Sequence, residues 1–220
     1  MIPVITVDGP SGSGKGTIAQ RVAQSLGWHF LDSGAIYRAL GLYAEQQGIG
    51  SEEVDALAAL ARAMPLNFRQ DKVLLDGKEI SALIRTEAVG NAASKVAAIP
   101  EVREALLEWQ REFARAPGLV ADGRDMGTVV FPNAEVKIFL TASPEERALR
   151  RYKQLKEKGL SANLAGLTVE IRERDERDCN RAIAPLKAAS DALELDSTEM
   201  DVDAVYASVM ARVRSRLPGL

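Results

Sequence analysis

The stretch Ile2-Pro3-Val4-Ile5-Thr6-Val7-Asp8-Gly9-Pro10-Ser11-Gly12-Ser13-Gly14-Lys15-Gly16-Thr17 decides how the rest of the chain is read. Ile2 to Asp8 is a short apolar run ending at a Gly/Ser loop, the pattern of a central parallel strand. From Lys15 onward, Ile18, Val22 and Leu26 recur at helical spacing with Ala19 and Ala23 alongside. The loop therefore lies between a strand and a helix. In that place glycines let successive backbone N–H groups turn around an oxyanion, and the helix N-terminus adds partial positive charge. Lys15 is then within reach of β- and γ-phosphates. Gly9, Pro10, Ser11, Gly12, Ser13, Gly14, Lys15, Gly16 and Thr17 are accordingly the expected ATP- or GTP-binding residues. The strict pattern has Ser or Thr directly after the lysine, whereas here Gly16 intervenes and the hydroxyl arrives at Thr17, which weakens the case for direct Mg²⁺ ligation by that hydroxyl.

Working outward, short apolar segments at Trp28 to Leu31, Leu119 to Ala121, Val136 to Leu140 and Ala192 to Leu195 alternate with helical patterns. The helical patterns cover Gly34 to Gln47, Pro144 to Lys156, Thr168 to Arg181 and Asp201 to Leu217. That alternation predicts an α/β fold with a doubly wound parallel sheet, here of the P-loop NTPase type. Ser143-Pro144-Glu145-Glu146 reads as a helix start, with Ser as cap, Pro in the first turn and acids facing the macrodipole. The last helix is expected to pack on the sheet and to carry no chemistry. Leu66 to Ile80 breaks the alternation: three short strands, with Asp76-Gly77 as a hairpin turn, predict a small inserted antiparallel sheet. Two helices follow, about Thr86 to Ala98 and Pro100 to Ala114, separated at Pro100. The chain shows no long linker and no internal repeat. It is expected to be a single domain over 1–220, with an insertion at about 60–85 and a short lid at about 151–166.

With 220 residues, 46% of them hydrophobic and 27% charged, the chain has the length and composition of one soluble unit with a sizeable core. No stretch approaches the roughly 18 apolar residues of a membrane span. The first residues carry no basic region and run straight into the loop, so they read as a strand rather than a cleavable signal, and a cytoplasmic location is expected. The single cysteine, Cys179, excludes an internal disulfide and reads as structural. A net charge of −3 argues against a surface for nucleic-acid polymers. Arginine is nonetheless locally dense, at Arg147 to Arg151 and Arg172 to Arg181, as a cleft for small phosphates requires. His29, the only histidine, follows Trp28 within a strand and reads as a packed or surface residue rather than a base.

Beyond the loop, several segments carry a more specific resemblance. They are Leu31-Asp32-Ser33-Gly34-Ala35-Ile36-Tyr37-Arg38, Ile84-Arg85-Thr86, Asn91-Ala92-Ala93-Ser94 and Val102-Arg103-Glu104-Ala105-Leu106-Leu107, followed by Asp122-Gly123-Arg124-Asp125-Met126-Gly127-Thr128-Val129-Val130-Phe131-Pro132 and Arg174-Asp175-Glu176-Arg177-Asp178-Cys179-Asn180-Arg181. In this order, spanning nearly the whole chain, they resemble the bacterial type of cytidylate kinase. Gly-x-Gly-Lys-Gly-Thr is likewise the loop form that nucleoside monophosphate kinases use. The resemblance implies transfer of the γ-phosphoryl group of ATP, bound with Mg²⁺, to CMP or dCMP, and it implies a small-sheet insertion in the monophosphate-binding region.

Carried over by position, the resemblance implies that Ser33 and Arg38 contact the acceptor phosphate side and that Arg124 and Arg181 also engage that phosphate. Ser94, Arg103 and Asp125 would read cytosine, and Arg174 and Asp178 would sit near the ribose. Convergent guanidiniums suit a dianionic acceptor that must approach an anionic ATP. Asp125 suits the exocyclic amine of cytosine, and Arg103 or Ser94 its acceptors. Uracil would place an acceptor before Asp125, and discrimination of roughly 10⁴-fold follows if water is excluded. Each residue also has a plain structural reading. Arg124 beside Asp125 could be a solvated turn. Arg174, Asp178 and Arg181 stand at i, i+4 and i+7 and could be an intrahelical salt-bridge ladder, the reading that spacing alone favours. Ser33, Ser94 and Arg103 would be ordinary surface or helix residues. Asp122, ending an apolar strand, suits either water-mediated organisation of Mg²⁺ or a strand-end structural role.

The expected mechanism is direct in-line transfer with no phosphoenzyme, since alignment and charge neutralisation suffice. Lys15, Arg124, Arg150 and Arg151 are the expected catalytic residues, and no direct protein ligand to a metal is expected. Arg147, Arg150 and Arg151 lead into Lys158-Gly159-Leu160-Ser161, which resembles the family's lid; a solvated basic face is the alternative. A monomer is expected. Two other functions fit the loop alone, a kinase for adenylate or shikimate and a nucleotide-gated switch. Against the switch, the chain has no Asn-Lys-x-Asp motif.

Overall fold

The computed structural model describes residues 2–69, 72–157 and 159–219. Gln70 and Asp71 of the expected insertion, and Lys158 of the expected lid, lie outside the described residues. The chain divides into two compact units, Met1–Leu31 with Phe113–Leu220, and Asp32–Glu112.

The first unit is organised by a sheet in the order β2-β6-β1-β7-β8, where β1 is Val4–Asp8, β2 His29–Asp32, β6 Leu119–Gly123, β7 Val136–Thr141 and β8 Leu193–Asp196. β1 runs parallel to both β6 and β7, in register Val7 with Asp122 and Val7 with Ile138, and β7 runs parallel to β8. Every residue of β1 is buried, which explains its unbroken apolar run. Ile18, Ala19 and Val22 of α1 (Lys15–Leu26) and Val205, Val209 and Val213 of α8 (Val202–Arg216) pack with Ile5, Val7, Val120, Ile138 and Leu140 in one core cluster. The last helix thus packs as expected. After β1 the chain builds toward β6 on one side and β7 on the other. The carboxyl end of β1 is therefore the switch point where doubly wound sheets hold ligands.

α6 (Pro144–Glu157) starts as the sequence implies: the Ser143 hydroxyl accepts from Glu146 N at 3.2 Å, and Glu145 and Glu146 stand in the first turn. α7 differs from the expected Thr168 to Arg181. It runs Leu164–Cys179, because the Asn163 side chain accepts from Ala165 N and Gly166 N and starts the helix a turn earlier. Asn180 ends it, so Arg181 lies beyond the helix and the i, i+4, i+7 face is not continuous. His29 donates through Nε2 to the Ala116 carbonyl at 2.9 Å.

In the second unit, α2 (Ser33–Gln47) is capped by Asp32, whose carboxylate accepts from Ala35 N at 3.0 Å. A helix that the sequence reading passed over, α3 (Val54–Ala63), buries Leu57, Ala58 and Ala61. The inserted sheet is present as β3 (Leu66–Arg69), β4 (Lys72–Leu75) and β5 (Lys78–Glu79), all antiparallel. Asp76 and Gly77 have φ of 49° and 74° in its hairpin, the left-handed pair such a tight turn needs. α4 (Glu87–Val96) is capped by Thr86, and α5 (Pro100–Arg111) begins at its proline. α2 packs with α4 and α3 with α5, and Phe68 of β3 meets Trp109 of α5 at a ring-centroid distance of 6.4 Å.

Leu57 is fully buried. Leu57→Ala is expected to destabilise the protein by about 3 kcal/mol, read from urea denaturation.

Candidate active site

The loop after β1 is built as an anion cradle. α1 has Gly14 at its N-cap, no side chain caps it, and no acidic residue stands in its first turn. A helix start of this kind, with glycine at the cap and no acid in the first turn, suits an anion. Lys15 is buried; its Nζ donates to the Pro10 carbonyl at 3.2 Å and lies 3.9 Å from Asp122 Oδ1. The departure from the strict motif now has a physical cause. A Cβ at Gly16 would stand 2.9 Å from Asp122 Oδ2, so the carboxylate at the end of β6 occupies the space a side chain would need. Thr17 is exposed.

The loop's carbonyls are held from α6. Arg147 is only 2% exposed, which excludes a solvated basic face at that position. It donates from Nη1 to the Ser11 carbonyl at 3.0 Å, from Nε to the Ala142 carbonyl at 2.8 Å, and to both carboxylate oxygens of Asp175 on α7. Arg150 donates from Nη1 to the Ser13 carbonyl at 3.3 Å, from Nη2 to the Ser197 carbonyl at 2.6 Å and from Nε to Glu146 at 3.0 Å. Arg151 reaches Gln154 Oε1 at 3.5 Å.

Beside the loop, the end of β6 gathers charge. Arg124 donates from Nε to Asp178 Oδ2 at 3.0 Å, and Arg181 donates from Nη2 to Asp178 Oδ1. Asp178 is 1% exposed. Burial alone would push its carboxyl up, but the guanidiniums of Arg124, Arg181 and Arg174 together outweigh that and hold it below the usual carboxylate range. The structure thus brings Arg124, Arg174, Asp178 and Arg181 together, and Arg124 is no solvated turn. Asp125 is buried next to this cluster in sequence, ahead of a π-helical turn at Met126–Val130. One participant was missed in the sequence: Asp8 accepts from Met126 N at 2.8 Å and Gly127 N at 2.7 Å. Its burial pushes its carboxyl up to about 7; the two N–H donors oppose that, and Asp125 and Asp122 add to it. Its signal was its place, a carboxylate at a strand end directly before the loop, as with Asp122. Cys179 is exposed, and desolvation with Asp175 and Asp178 nearby pushes its thiol up, away from nucleophile chemistry.

In the second unit, Ser33 is buried at the start of α2. Arg38, a turn later, donates from Nη1 to the Ile84 carbonyl at 3.1 Å. Ser94 on α4 and Arg103 on α5 are both buried. The Arg103 guanidinium donates to the Ala97 carbonyl at 3.2 Å and lies 5.7 Å from the centre of the Tyr37 ring, so the aromatic face holds it in place.

A phosphate loop at the switch point of a parallel sheet, with a lysine inside it and arginines around it, defines a P-loop kinase. The chain belongs to the cytidylate kinase family, whose family model, described as Cytidylate kinase, matches residues 5–215. A cytidylate kinase of Aeromonas salmonicida (strain A449) is 60% identical over 99% of this chain and 96% of its own length. One of Nitrosococcus oceani is 60% identical over 95% of each. Among solved structures, a gluconokinase from Sinorhizobium meliloti 1021 shares the fold with a TM-score of 0.51 at 14% identity, covering 97% of this chain and 93% of that one.

Removing the Asp178 carboxylate leaves Arg124 and Arg181 without their shared counter-charge. Asp178→Ala is expected to cost about 3 kcal/mol at pH 7. A carboxyl held below its ordinary value stabilises the fold above that value and loses the contribution as pH falls through the lowered one. The gap between wild type and variant in urea denaturation should therefore close in acid, below an ordinary aspartate's 3.8.

Proposed function

We propose that this chain transfers the γ-phosphoryl group of ATP directly to CMP or dCMP, giving ADP and CDP or dCDP, in pyrimidine nucleotide metabolism. The observation that carries the reading is the Arg124-Asp178-Arg181 cluster, in the same unit as the Lys15 loop, in a chain of the cytidylate kinase family. Backbone N–H groups of the loop and Lys15 bind the donor phosphates. Arg124 and Arg181 take the acceptor phosphate, and Asp178 holds both guanidiniums in orientation before substrate arrives. By resemblance to the family, Ser33 and Arg38 are acceptor-phosphate residues, and Arg174 and Asp178 are ribose residues. By the same resemblance, Asp125 is the carboxylate for the cytosine amine, and Ser94 and Arg103 are base-reading residues.

Asp122, 3.9 Å from Lys15 Nζ, is a hard oxygen group that fits organisation through water of a Mg²⁺ bound chiefly through phosphate oxygens. That ion would neutralise charge on the transferring group. Arg150 and Arg151 add positive charge near the donor phosphates. No side chain is needed as a covalent nucleophile, because alignment and charge neutralisation carry the barrier reduction.

On this reading the protein works as a monomeric single kinase domain in the cytoplasm. The segment of about 60–85 belongs to monophosphate binding, and about 151–166 is a short lid that excludes water. Among the described residues, no helix is long and apolar enough to cross a membrane.

A coupled ADP assay with CMP, dCMP, UMP, AMP and shikimate tests the reading. CMP and dCMP are expected to dominate, with UMP lower by about 10⁴-fold in kcat/KM; strong use of AMP or shikimate without CMP would overturn it. Lys15→Ala is expected to lower kcat by about 10² or more while circular dichroism stays unchanged. Turnover near that of wild type would reject the role of Lys15.

A further inference from the structure

Asp8 takes no part in the chemistry described above, yet it is 5% exposed at the end of the central strand and bonded to the loop that carries Arg124 and Asp125. Its two oxygens accept separately from the first two N–H groups of the π-helical turn Met126–Val130. Asp125 immediately precedes the turn. Its own carbonyl accepts from Val129 N at 2.9 Å and Val130 N at 3.2 Å. The N–H of the same peptide is held by Asp8, so the peptide that leaves Asp125 is fixed through both its oxygen and its N–H.

The packing around this contact leaves no slack. A Cβ at Gly127 would stand 2.8 Å from Thr6 Oγ1, 3.2 Å from Lys137 Cδ and 3.3 Å from Asp8 Oδ2, so a side chain there would have to displace these groups or the turn. A carboxylate accepting two separate N–H groups cannot be replaced by an amide without turning an NH₂ toward one of them. A buried donor that loses its partner is costly, so the loop would move to satisfy it.

We propose that Asp8 is a positioning residue for acceptor selectivity: by clamping the amides of Met126 and Gly127 to the end of β1, it fixes where the Asp125 carboxylate stands and so sets the preference for an amino-pyrimidine. This rests on the reading of Asp125 as the carboxylate that receives the cytosine amine. Asp8 acts through the turn, since both its oxygens are taken by these amides. It links the strand that leads into the phosphate loop with the segment that reads the acceptor.

Steady-state kinetics of Asp8→Asn, Gly127→Ala and Asp125→Ala in the full chain test the proposal. Asp8→Asn is expected to raise KM for CMP about tenfold and to lower the CMP-over-UMP preference in kcat/KM about tenfold, with KM for ATP changed less than about threefold. Gly127→Ala crowds the same contact from the loop side while keeping the Asp8 carboxylate, and should reproduce the pattern. It decides the matter if Asp8→Asn does not fold. A merely structural role would shift the thermal midpoint and both KM values together, and that outcome overturns the proposal. If Asp125→Ala abolishes the preference while the other two variants keep it, the positioning role alone fails. If Asp125→Ala keeps the preference, the reading of Asp125 fails and the proposal falls with it.

Discussion

Guanidiniums held close together repel one another, and a carboxylate among them offsets that repulsion in a folded chain. Asp178 is that carboxylate. It lies against Arg124 from the end of β6 and Arg181 from beyond α7, with Arg174 near enough to act on its charge. The arrangement links distant stretches of sequence, and its effect is electrostatic: one buried anion fixes the orientation of the cations around it. Burying one anion between fixed cations is costly in desolvation, and the lowered carboxyl value shows that the cations outweigh that cost.

The remainder of the first unit serves to aim this cluster and the phosphate loop. β1 is buried along its length between β6 and β7, so its end is rigid, and both neighbours deliver functional segments from there. Carboxylates at the ends of adjacent strands do different work. Asp122 fills the space beside Gly16 and lies near Lys15, whereas Asp8 turns away from the loop that follows it and binds the amides beyond Asp125. A central strand with helices packed on it is stable enough to carry three buried acids in one neighbourhood, Asp8, Asp122 and Asp125.

Much of this was legible in the sequence, for identifiable reasons. The period of the apolar residues changed from strand to helix at Lys15, and the Asp76-Gly77 pair marked the hairpin, because both signals are local. α3 was passed over although Val54, Leu57, Ala58 and Ala61 show helical spacing; its alanines give weak hydrophobic contrast. α7 began earlier than expected because the signal was a cap, Asn163, rather than a hydrophobic period. The intrahelical ladder suggested by Arg174, Asp178 and Arg181 is present only in part: Arg181 pairs with Asp178 three residues back, but its other partner is non-local. The helix stops at Cys179, and the partner that matters, Arg124, comes from more than fifty residues away. The π-helical turn and the bonds of Asp8 to it had no local signature, since they depend on which strands lie side by side.

The arginines of α6 show a related constraint acting on backbone. A loop that directs N–H groups toward an anion must place its carbonyls elsewhere, and a buried carbonyl needs a donor. Here the Ser11 carbonyl is taken by Arg147 and the Ser13 carbonyl by Arg150, with the Ser197 hydroxyl also reaching Ser13. A cation bound to the oxygen of a peptide polarises that peptide, making its N–H a stronger donor. Arg147 is buried and tied to Asp175, so its charge bears on the loop's own peptides, while its bidentate pair fixes α7 to α6. One side chain thereby sets the shape of the phosphate cradle and the placement of the helix that carries Arg174 and Asp178. That coupling explains why a residue whose spacing suggested a solvated face is among the most deeply buried charges of the first unit.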